Sequence, residues 1–259
     1  MFPNISSTQV LQALREIQAE LGQRIFPDKA DFPLLADVLA QIGSIPHNTL
    51  LLGVDKDRQP IQLDLSDPET GPILLAADRA GGKTLFLQAL ARSAAYFFPA
   101  EEVGLAIFTR FPGEWQDLES TPHVMGVHPS YDLAAVDTLY DLACRAEAGT
   151  TDRSILLIFD GLDFAQRMHP AGQENLRYLL AYGPKARIWP LVSVNALRAV
   201  KMPDWLSYFR TRIYGHIAHP EIAEELTPLP GAELEALLPG TQFCLRKDSQ
   251  WQKIWLPSL

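Results

Sequence analysis

The sequence predicts an α/β fold in which helices cover both faces of a mostly parallel sheet. Apolar runs of strand length alternate along the chain with longer segments of helical periodicity, a pattern typical of parallel sheets. One of these runs leads directly into a glycine-rich loop and a helix. The chain has 259 residues, 47% of them hydrophobic, which is enough for one substantial domain with its own core.

Residues 1–46 predict an N-terminal element of two helices. Ser6 and Gln9 have the spacing of a capping box at the start of the first helix, and Gly43 ends the second. Their apolar stripes comprise Val10, Leu11, Leu14, Ile17 and Leu21 in the first helix, and Leu35, Val38, Leu39 and Ile42 in the second. The stripes either pack on the main domain or dock a partner, and packing is the favoured interpretation.

Residues 47–259 predict the main domain, which begins and ends with a β-hairpin. The first hairpin joins segments 49–54 and 60–65 through a polar turn, and the last joins 241–246 and 250–256. Further strands are predicted at 73–77, 103–108, 154–159, 188–194 and 211–217, helices at 85–95, 133–148 and 173–182, and a long loop at 111–131.

The passage from Ile73 to Thr84 has the order strand, glycine loop, helix that a phosphate-binding loop requires. It matches [AG]-x-x-x-x-G-K-T, with Ala77 in place of the usual first glycine. Backbone N–H groups of such a loop surround the phosphates, the lysine reaches the β and γ oxygens, and the hydroxyl holds Mg²⁺. The predicted nucleotide-binding residues are Asp78, Arg79, Ala80, Gly81, Gly82, Lys83, Thr84 and Leu85, with ATP and Mg²⁺ as cofactors.

Two features of this loop leave alternatives open. A Gly-Gly-Lys-Thr turn ahead of a helix can arise by chance, although the flanking strand and helix disfavour this interpretation. Asp78 would repel phosphates unless its carboxylate points away or pairs with Arg79.

A second buried strand ends in an acid, where four apolar residues, 156–159, precede Asp160. In a phosphate-loop protein such an aspartate lies beside Mg²⁺ and contacts it through water. A structural acid at a strand end is the alternative, and the placement after the phosphate loop favours the metal site. Thr84 and Asp160 are therefore the predicted metal-site residues.

Composition disfavours several other classes of function. The net charge of −9 argues against a broad nucleic-acid surface, and the densest basic stretch, Lys185, Arg187, Arg198 and Lys201, is interpreted as a solvated face. The spacing of Cys144 and Cys244 supports neither a disulfide framework nor a zinc site. No apolar run reaches the length of about 18 residues that suggests a membrane helix, and no secretory leader is visible, so a cytoplasmic location is expected.

From Leu51 onward the order of motifs resembles the FtsK/SpoIIIE translocase ATPases, within the FtsK–HerA group of P-loop motors. The similar passages are Leu52-Gly53-Val54-Asp55 with Leu63-Asp64-Leu65, Thr121-Pro122-His123-Val124, Thr211-Arg212-Ile213, and Gly231-Ala232-Glu233 with Leu237-Leu238-Pro239-Gly240. The resemblance implies a RecA-like P-loop NTPase fold and a ring-forming motor that acts on DNA or a polypeptide.

The chain departs from this family at the residues that perform hydrolysis. The family follows its Walker B aspartate with a glutamate that polarises the attacking water, and Gly161 occupies that place here. Asn195 stands where the family has a glutamine. Asp163 is the carboxylate nearest in sequence that could substitute for the glutamate, although a helix-cap or surface acid is its favoured interpretation. Asp160, Asn195 and Arg212 are the predicted catalytic residues. Arg212 and the neighbouring Arg210 could contact the nucleotide of a neighbouring subunit, but a salt bridge is the default interpretation for either.

These observations favour an ATP-binding protein with weak or absent hydrolysis, as a subunit of a larger assembly. We expect either a homo-oligomer, such as a ring, or protein partners bound through the N-terminal helices; the acidic charge disfavours DNA. The alternatives are an active ATP-driven translocase of DNA or polypeptide, and a scaffold that binds no nucleotide.

Overall fold

The computed structural model describes residues 32–149, 151–227, 229–247 and 250–259. The first predicted helix, with its stripe from Val10 to Leu21, lies outside the described residues. The second is present as α1, Leu35–Ile42. Leu35, Val38 and Leu39 are buried in the same hydrophobic cluster as one face of the sheet, so this stripe packs on the core. The division of the chain at residue 46 stays a prediction.

One sheet of ten strands forms the centre of the molecule, in the order β2-β1-β10-β9-β8-β3-β7-β6-β4-β5. The strands are β1 Thr49–Val54, β2 Pro60–Asp64, β3 Ile73–Ala77, β4 Val103–Thr109, β5 Val124–Pro129, β6 Ser154–Asp160, β7 Ile188–Asn195, β8 Thr211–Tyr214, β9 Gln242–Lys247 and β10 Gln250–Trp255. The pairings from β8 to β5 are parallel, whereas those from β8 through β9, β10 and β1 to β2 are antiparallel. The predicted hairpins are β1–β2 and β9–β10.

Helices cover both faces of this sheet, as predicted. The remaining helices are α2 Lys83–Phe97, α3 Gln116–Glu119, α4 Leu133–Ala148, α5 Pro170–Tyr182, α6 Ala196–Ala199, α7 Pro203–Leu206 and α8 Pro220–Leu226, with 3₁₀ turns at Pro112–Trp115, Leu162–Arg167, Gly183–Ala186 and Leu234–Ala236. Apolar residues of α1 and α2 are buried with one face, and those of α4 and α5 with the other. No helix in the described part of the chain is long and apolar enough to cross a membrane.

The segment 111–131, predicted as a loop, contains a 3₁₀ turn, the short helix α3 and the strand β5. β5 pairs with β4 at the edge of the sheet and its residues are only partly buried. Edge strands tolerate proline and glycine because fewer of their N–H groups enter the ladder, so Gly126 and Pro129 concealed this strand from the sequence pattern.

Two further boundaries differ from the sequence prediction. The strand predicted at 211–217 ends at Tyr214, although Gly215 still donates its N–H to the carbonyl oxygen of Ala76 at 2.9 Å. α5 begins at Pro170 rather than 173, because proline fits the first helical position and His169 accepts a hydrogen bond from the N–H of Ala171.

The parallel strands β3, β7, β6 and β4 all end at the same edge of the sheet, which we call the carboxyl edge. Ala77, at the end of β3, lies opposite Asn195 of β7, and Asp160 of β6 lies opposite both Ser193 of β7 and Thr109 of β4. In open α/β sheets ligands bind at this edge. The predicted site residues at the ends of these strands therefore converge.

Candidate nucleotide-binding site

The loop between β3 and α2 has the tight backbone path that a phosphate-binding loop needs. Ala80 and Gly82 have φ values of 59° and 83°, and the N–H of Gly81 donates to the carbonyl oxygen of Asp78 at 3.0 Å. A Cβ atom on Gly82 would lie 2.4 Å from the Cα of Gly240, so the chain before β9 presses directly on the loop. Glycine at position 82 is therefore required both by its φ value and by this close approach.

Lys83, the first residue of α2, folds back over the loop. Its Nζ donates hydrogen bonds to the carbonyl oxygens of Ala77, at 3.1 Å, and of Asp78, at 2.7 Å. Burial lowers the pKa of Lys83, and the negative charges of Asp160, Asp163 and Asp78 partly oppose this shift. The ammonium group thus lies between the start of the loop and the acids of the carboxyl edge, where a phosphate would replace its carbonyl partners.

The two residues predicted for the metal site, Thr84 and Asp160, are in direct contact. Thr84 Oγ1 donates to Asp160 Oδ2 at 2.8 Å, and Ser193 Oγ donates to Asp160 Oδ1 at 2.5 Å. Ser193 was not predicted from the sequence, because a serine inside a buried strand carries no motif.

The donor set at Thr84 and Asp160 fits Mg²⁺ bound together with a nucleotide. Hydroxyl and carboxylate oxygens are the hard ligands that Mg²⁺ prefers, and this ion usually takes one or two protein ligands with phosphate oxygens and water. Within the described residues no group of three or more His, Cys, Asp or Glu could hold a metal ion by itself. The arrangement therefore suits a cation shared with phosphates rather than a closed protein site.

The carboxylate of Asp78 is turned away from the phosphate side of the loop. Its Oδ2 accepts a hydrogen bond from the N–H of Ala218 at 2.8 Å, and its own N–H donates to the carbonyl oxygen of His216 at 3.0 Å. This contact fastens the phosphate loop to the segment after β8. Of the two ways to avoid repulsion, the structure has the first, in which the acid points away, rather than a pair with Arg79.

A cleft of about 1000 Å³ lies over the phosphate loop and the end of β6. The predicted residues that line it are Arg79, Ala80, Gly82, Lys83, Thr84, Leu85, Asp160 and Asn195. Asp78 and Gly81 belong to the loop but do not line the cleft. The side chains of Leu85, Phe111 and Leu197 are exposed at its walls and offer apolar surface beside the polar centre.

Arg212 does not line this cleft. It stands on β8 opposite Leu74, and its guanidinium donates to the carbonyl oxygens of Leu206, at 2.8 Å, and Phe209, at 3.3 Å. The neighbouring Arg210 donates to the carbonyl oxygen of Pro68 at 2.5 Å. Backbone carbonyls thus take the place of the acid expected in a salt bridge. The role of Arg212 toward a neighbouring subunit stays a prediction.

Gly161, directly after Asp160, has φ 112° and ψ 68°. Side chains rarely adopt this conformation, and a Cβ atom here would lie 3.1 Å from Cδ2 of Phe164. This position therefore carries no side chain that could accept a proton, and its backbone bends in a way that a glutamate would strain.

Glu114 is a cleft residue that the sequence did not predict. It lies in the 3₁₀ turn after β4, and its carbonyl oxygen accepts a hydrogen bond of 2.6 Å from Gln88 Nε2 of α2. Burial, together with the negative charge of Asp160, raises the pKa of Glu114. Asp163, the acid proposed from the sequence, also lines the cleft. Besides Asp160, two carboxylates therefore line the same cleft as Gly161, those of Glu114 and Asp163.

Solved structures of ATPases share this architecture. The cytoplasmic domain of the type VII secretion ATPase EccC from Thermomonospora curvata matches with a TM-score of 0.71 and 14% identity, over 88% of this chain and 32% of that chain. EssC (ATPases 2 and 3) from Geobacillus thermodenitrificans matches with a TM-score of 0.65 and 17% identity, over 99% and 51%. The chain has the fold of the FtsK-like P-loop ATPases. The pCW3 conjugation coupling protein TcpA, solved with ATPγS, also matches this FtsK-like fold, with a TM-score of 0.65 and 11% identity, over 90% and 71%.

The predicted resemblance is thus confirmed at the level of the fold. No protein-family model matches the chain, and no curated protein matches it. This chain spans 32% of the EccC chain and 51% of the EssC chain, so it corresponds to one part of those longer proteins.

Proposed function

We propose that this chain binds ATP with Mg²⁺, hydrolyses it weakly or not at all, and acts as a subunit of a larger assembly. The observation that carries the proposal is the contact between Thr84 and Asp160 beside Lys83, under a cleft of about 1000 Å³. Thr84 and Asp160 would hold the cation, Lys83 would bind phosphate oxygens, and the backbone N–H groups of the loop would surround the phosphates.

The weak-hydrolysis part of the proposal rests on Gly161. A positioned general base contributes about 10²–10⁴ to a rate, and glycine offers no group that accepts a proton. Asn195 lies at the end of β7 in the cleft, where its amide could contact a terminal phosphate without supplying that base.

The larger assembly is proposed from the similar structures. EccC is a secretion ATPase, TcpA is a conjugation coupling protein, and one EccC structure (ATPases 2 and 3) is in complex with a signal sequence peptide. Together with the net charge of −9, this favours a polypeptide over DNA as the partner. We propose a cytoplasmic location and either a homo-oligomer or a protein partner bound through residues 1–46.

A second candidate function is an active ATP-driven motor. Glu114 favours it, because this carboxylate lines the same cleft as Lys83 and Asp160 and could accept the proton of the attacking water. Hydrolysis would then proceed without the glutamate that Gly161 replaces.

Calorimetry with ATP and Mg²⁺, beside a phosphate-release assay, tests these functions on the full chain. Binding with little or no turnover is the expected result. Turnover at the rate of ordinary motors, reduced by Glu114→Gln but not by Asp163→Asn, would replace the proposal with the motor. The absence of ATP binding would leave the scaffold alternative, and stimulation of turnover by DNA would reverse the choice of partner.

A further inference from the structure

A second cavity, of about 400 Å³, adjoins the nucleotide cleft and is lined by four cationic side chains: Arg110, Arg167, Arg198 and Lys201. We call this cavity the basic pocket. Arg110 follows β4, Arg167 ends the 3₁₀ turn after β6, and Arg198 and Lys201 follow β7. Since β4, β6 and β7 are neighbours in the sheet, residues up to 91 positions apart in sequence meet at the carboxyl edge.

The positive charge of this pocket is not balanced within the described structure. Asp163 is the one acid in its lining, and none of the four cations has a carboxylate within 4.0 Å among the described residues. Like charges held together repel each other, and the chain as a whole carries a net charge of −9. An anionic ligand would offset this local excess of positive charge.

Phe164 orients two of the guanidinium groups. The Arg110 guanidinium lies 4.5 Å from the centre of its ring and that of Arg167 lies 5.7 Å from it. Cation–π contacts of this kind hold the arginine planes, while their N–H groups stay free to donate. Planar guanidinium groups donate two parallel hydrogen bonds to a phosphate, and a lysine adds a point charge.

The basic pocket is distinct from the phosphate loop but communicates with the nucleotide cleft. None of its lining residues belongs to the loop, whereas Arg110, Asp163, Phe164 and Arg198 line both cavities. Its two remaining cations, Arg167 and Lys201, do not line the cleft, so their substitution leaves the nucleotide-binding residues in place.

We propose that the basic pocket binds compact phosphate groups, such as inorganic phosphate or pyrophosphate, independently of the phosphate loop. Its volume of about 400 Å³ and its four cations suit a small polyanion. The phosphodiesters of a single strand of nucleic acid have the same anionic chemistry. A long strand would also meet the acidic remainder of a chain whose net charge is −9, so it is disfavoured as the ligand. The inference does not require ATP to bind at the phosphate loop, and Arg167 and Lys201, which do not line the nucleotide cleft, distinguish the two sites.

Titration of pyrophosphate by calorimetry at low ionic strength, without Mg²⁺, tests this inference in a Lys83→Ala background that weakens the phosphate loop. The double variant Arg167→Ala/Lys201→Ala should bind pyrophosphate at least about tenfold more weakly than this background, since it loses two charge-assisted contacts. The matched control is Lys56→Ala/Lys185→Ala, which loses the same charge: Lys56 is exposed in the β1–β2 turn and Lys185 lines a different cavity, with Trp189.

Each outcome decides the inference. Selective loss in the Arg167/Lys201 variant supports it, whereas equal weakening in both double variants, or no measurable binding in the background, overturns it. Binding of a labelled single-stranded oligothymidine, measured by anisotropy on the same proteins, identifies the source of the phosphate. If the Arg167/Lys201 variant selectively loses binding of the oligonucleotide but not of pyrophosphate, the pocket binds nucleic acid and the compact ligand is overturned. Thermal unfolding verifies that each variant is folded. ATP binding by the otherwise unmodified chain, measured in parallel, reports separately on the proposed function.

Discussion

The ends of strands β3 and β6 lie at the same edge of the sheet, yet they carry different parts of the proposed nucleotide-binding site. At the end of β3 the loop retains its glycine, lysine and threonine in a tight backbone path. At the end of β6 Asp160 contacts Thr84, and the residue that follows is Gly161, which carries no acidic group. In the proposed site, phosphate binding and water activation therefore depend on different strand ends, so a change at one end can leave the other end intact.

Packing explains why one end is more constrained than the other. Gly82 is pressed against Gly240, and Asp78 is tied to Ala218, so the phosphate loop is fastened to two other segments of the chain. A Cβ at Gly161 would meet only the ring of Phe164 among its close neighbours, at 3.1 and 3.7 Å. Change at the end of β6 therefore disturbs fewer backbone contacts.

The largest expected effect comes from Lys83→Ala, which removes the ammonium group from the β3 end. Two charge-assisted hydrogen bonds to phosphate, at about 1.5–3 kcal/mol each, correspond to a loss of roughly 10²–10⁴-fold in ATP affinity. Calorimetry measures this loss, and Lys185→Ala, away from the cleft, is the control. An unchanged affinity for ATP would show that the loop after β3 does not bind the phosphates.

Gly82→Ala tests whether the β3 end is constrained as the structure indicates. The added methyl group would lie 2.4 Å from the Gly240 Cα and force a non-glycine residue to φ 83°. Overpacking of about 1–3 kcal/mol and left-handed strain of about 1–2 kcal/mol should lower the unfolding midpoint by roughly 4–20 °C. Gly113→Ala is the matched control, since a Cβ there meets nothing within 4 Å. Equal midpoints for the two variants would contradict the packing argument.

Gly161→Glu tests whether the β6 end can regain hydrolysis by restoring the acid alone. We expect no gain, because φ 112° is unfavourable for glutamate, and a loss of stability of about 1–2 kcal/mol. Gly161→Ala carries the same backbone strain without a carboxylate and should unfold at a similar temperature. Phosphate release at motor-like rates by the Glu variant, with wild-type stability, would show that the missing side chain is the whole difference between the two ends.

Asp160→Asn should produce the smallest change. It should lower the contribution of Mg²⁺ to ATP binding without lowering the affinity for ATP alone. Its amide keeps the shape of the contact with Thr84 and Ser193 but loses the negative charge that Mg²⁺ requires. In this variant the affinity for ATP in the presence of Mg²⁺ should fall about tenfold, or about 1.4 kcal/mol. The affinity for ATP in EDTA should stay within about twofold of the wild-type value. Ser193→Ala, which leaves the carboxylate in place, should retain the enhancement. An equal loss with and without Mg²⁺ would assign Asp160 a purely structural role.

Much of the fold could be predicted because each parallel strand is a short apolar run next to a helix of regular period. The strand β5 could not, because an edge strand with Gly126 and Pro129 lacks a continuous apolar pattern. Within the site, Lys83, Thr84 and Asp160 were predicted because their spacing forms motifs. Glu114 and Ser193 were not, since neither has a local pattern and both reach the site through sheet order.

Residue types at fixed spacing were enough to predict the loop from Ala77 to Thr84, the acid at the end of β6 and the glycine that follows it. The tertiary structure alone decided that Asp78 turns away from the phosphates, that Gly161 bends in a way unsuited to glutamate, and that Arg212 lies outside the cleft. It also divided the basic stretch of the sequence: Arg198 and Lys201 join Arg110 and Arg167, whereas Lys185 faces a different cavity. The physical reason is that strand order in the sheet, rather than distance along the chain, sets which side chains meet at the carboxyl edge.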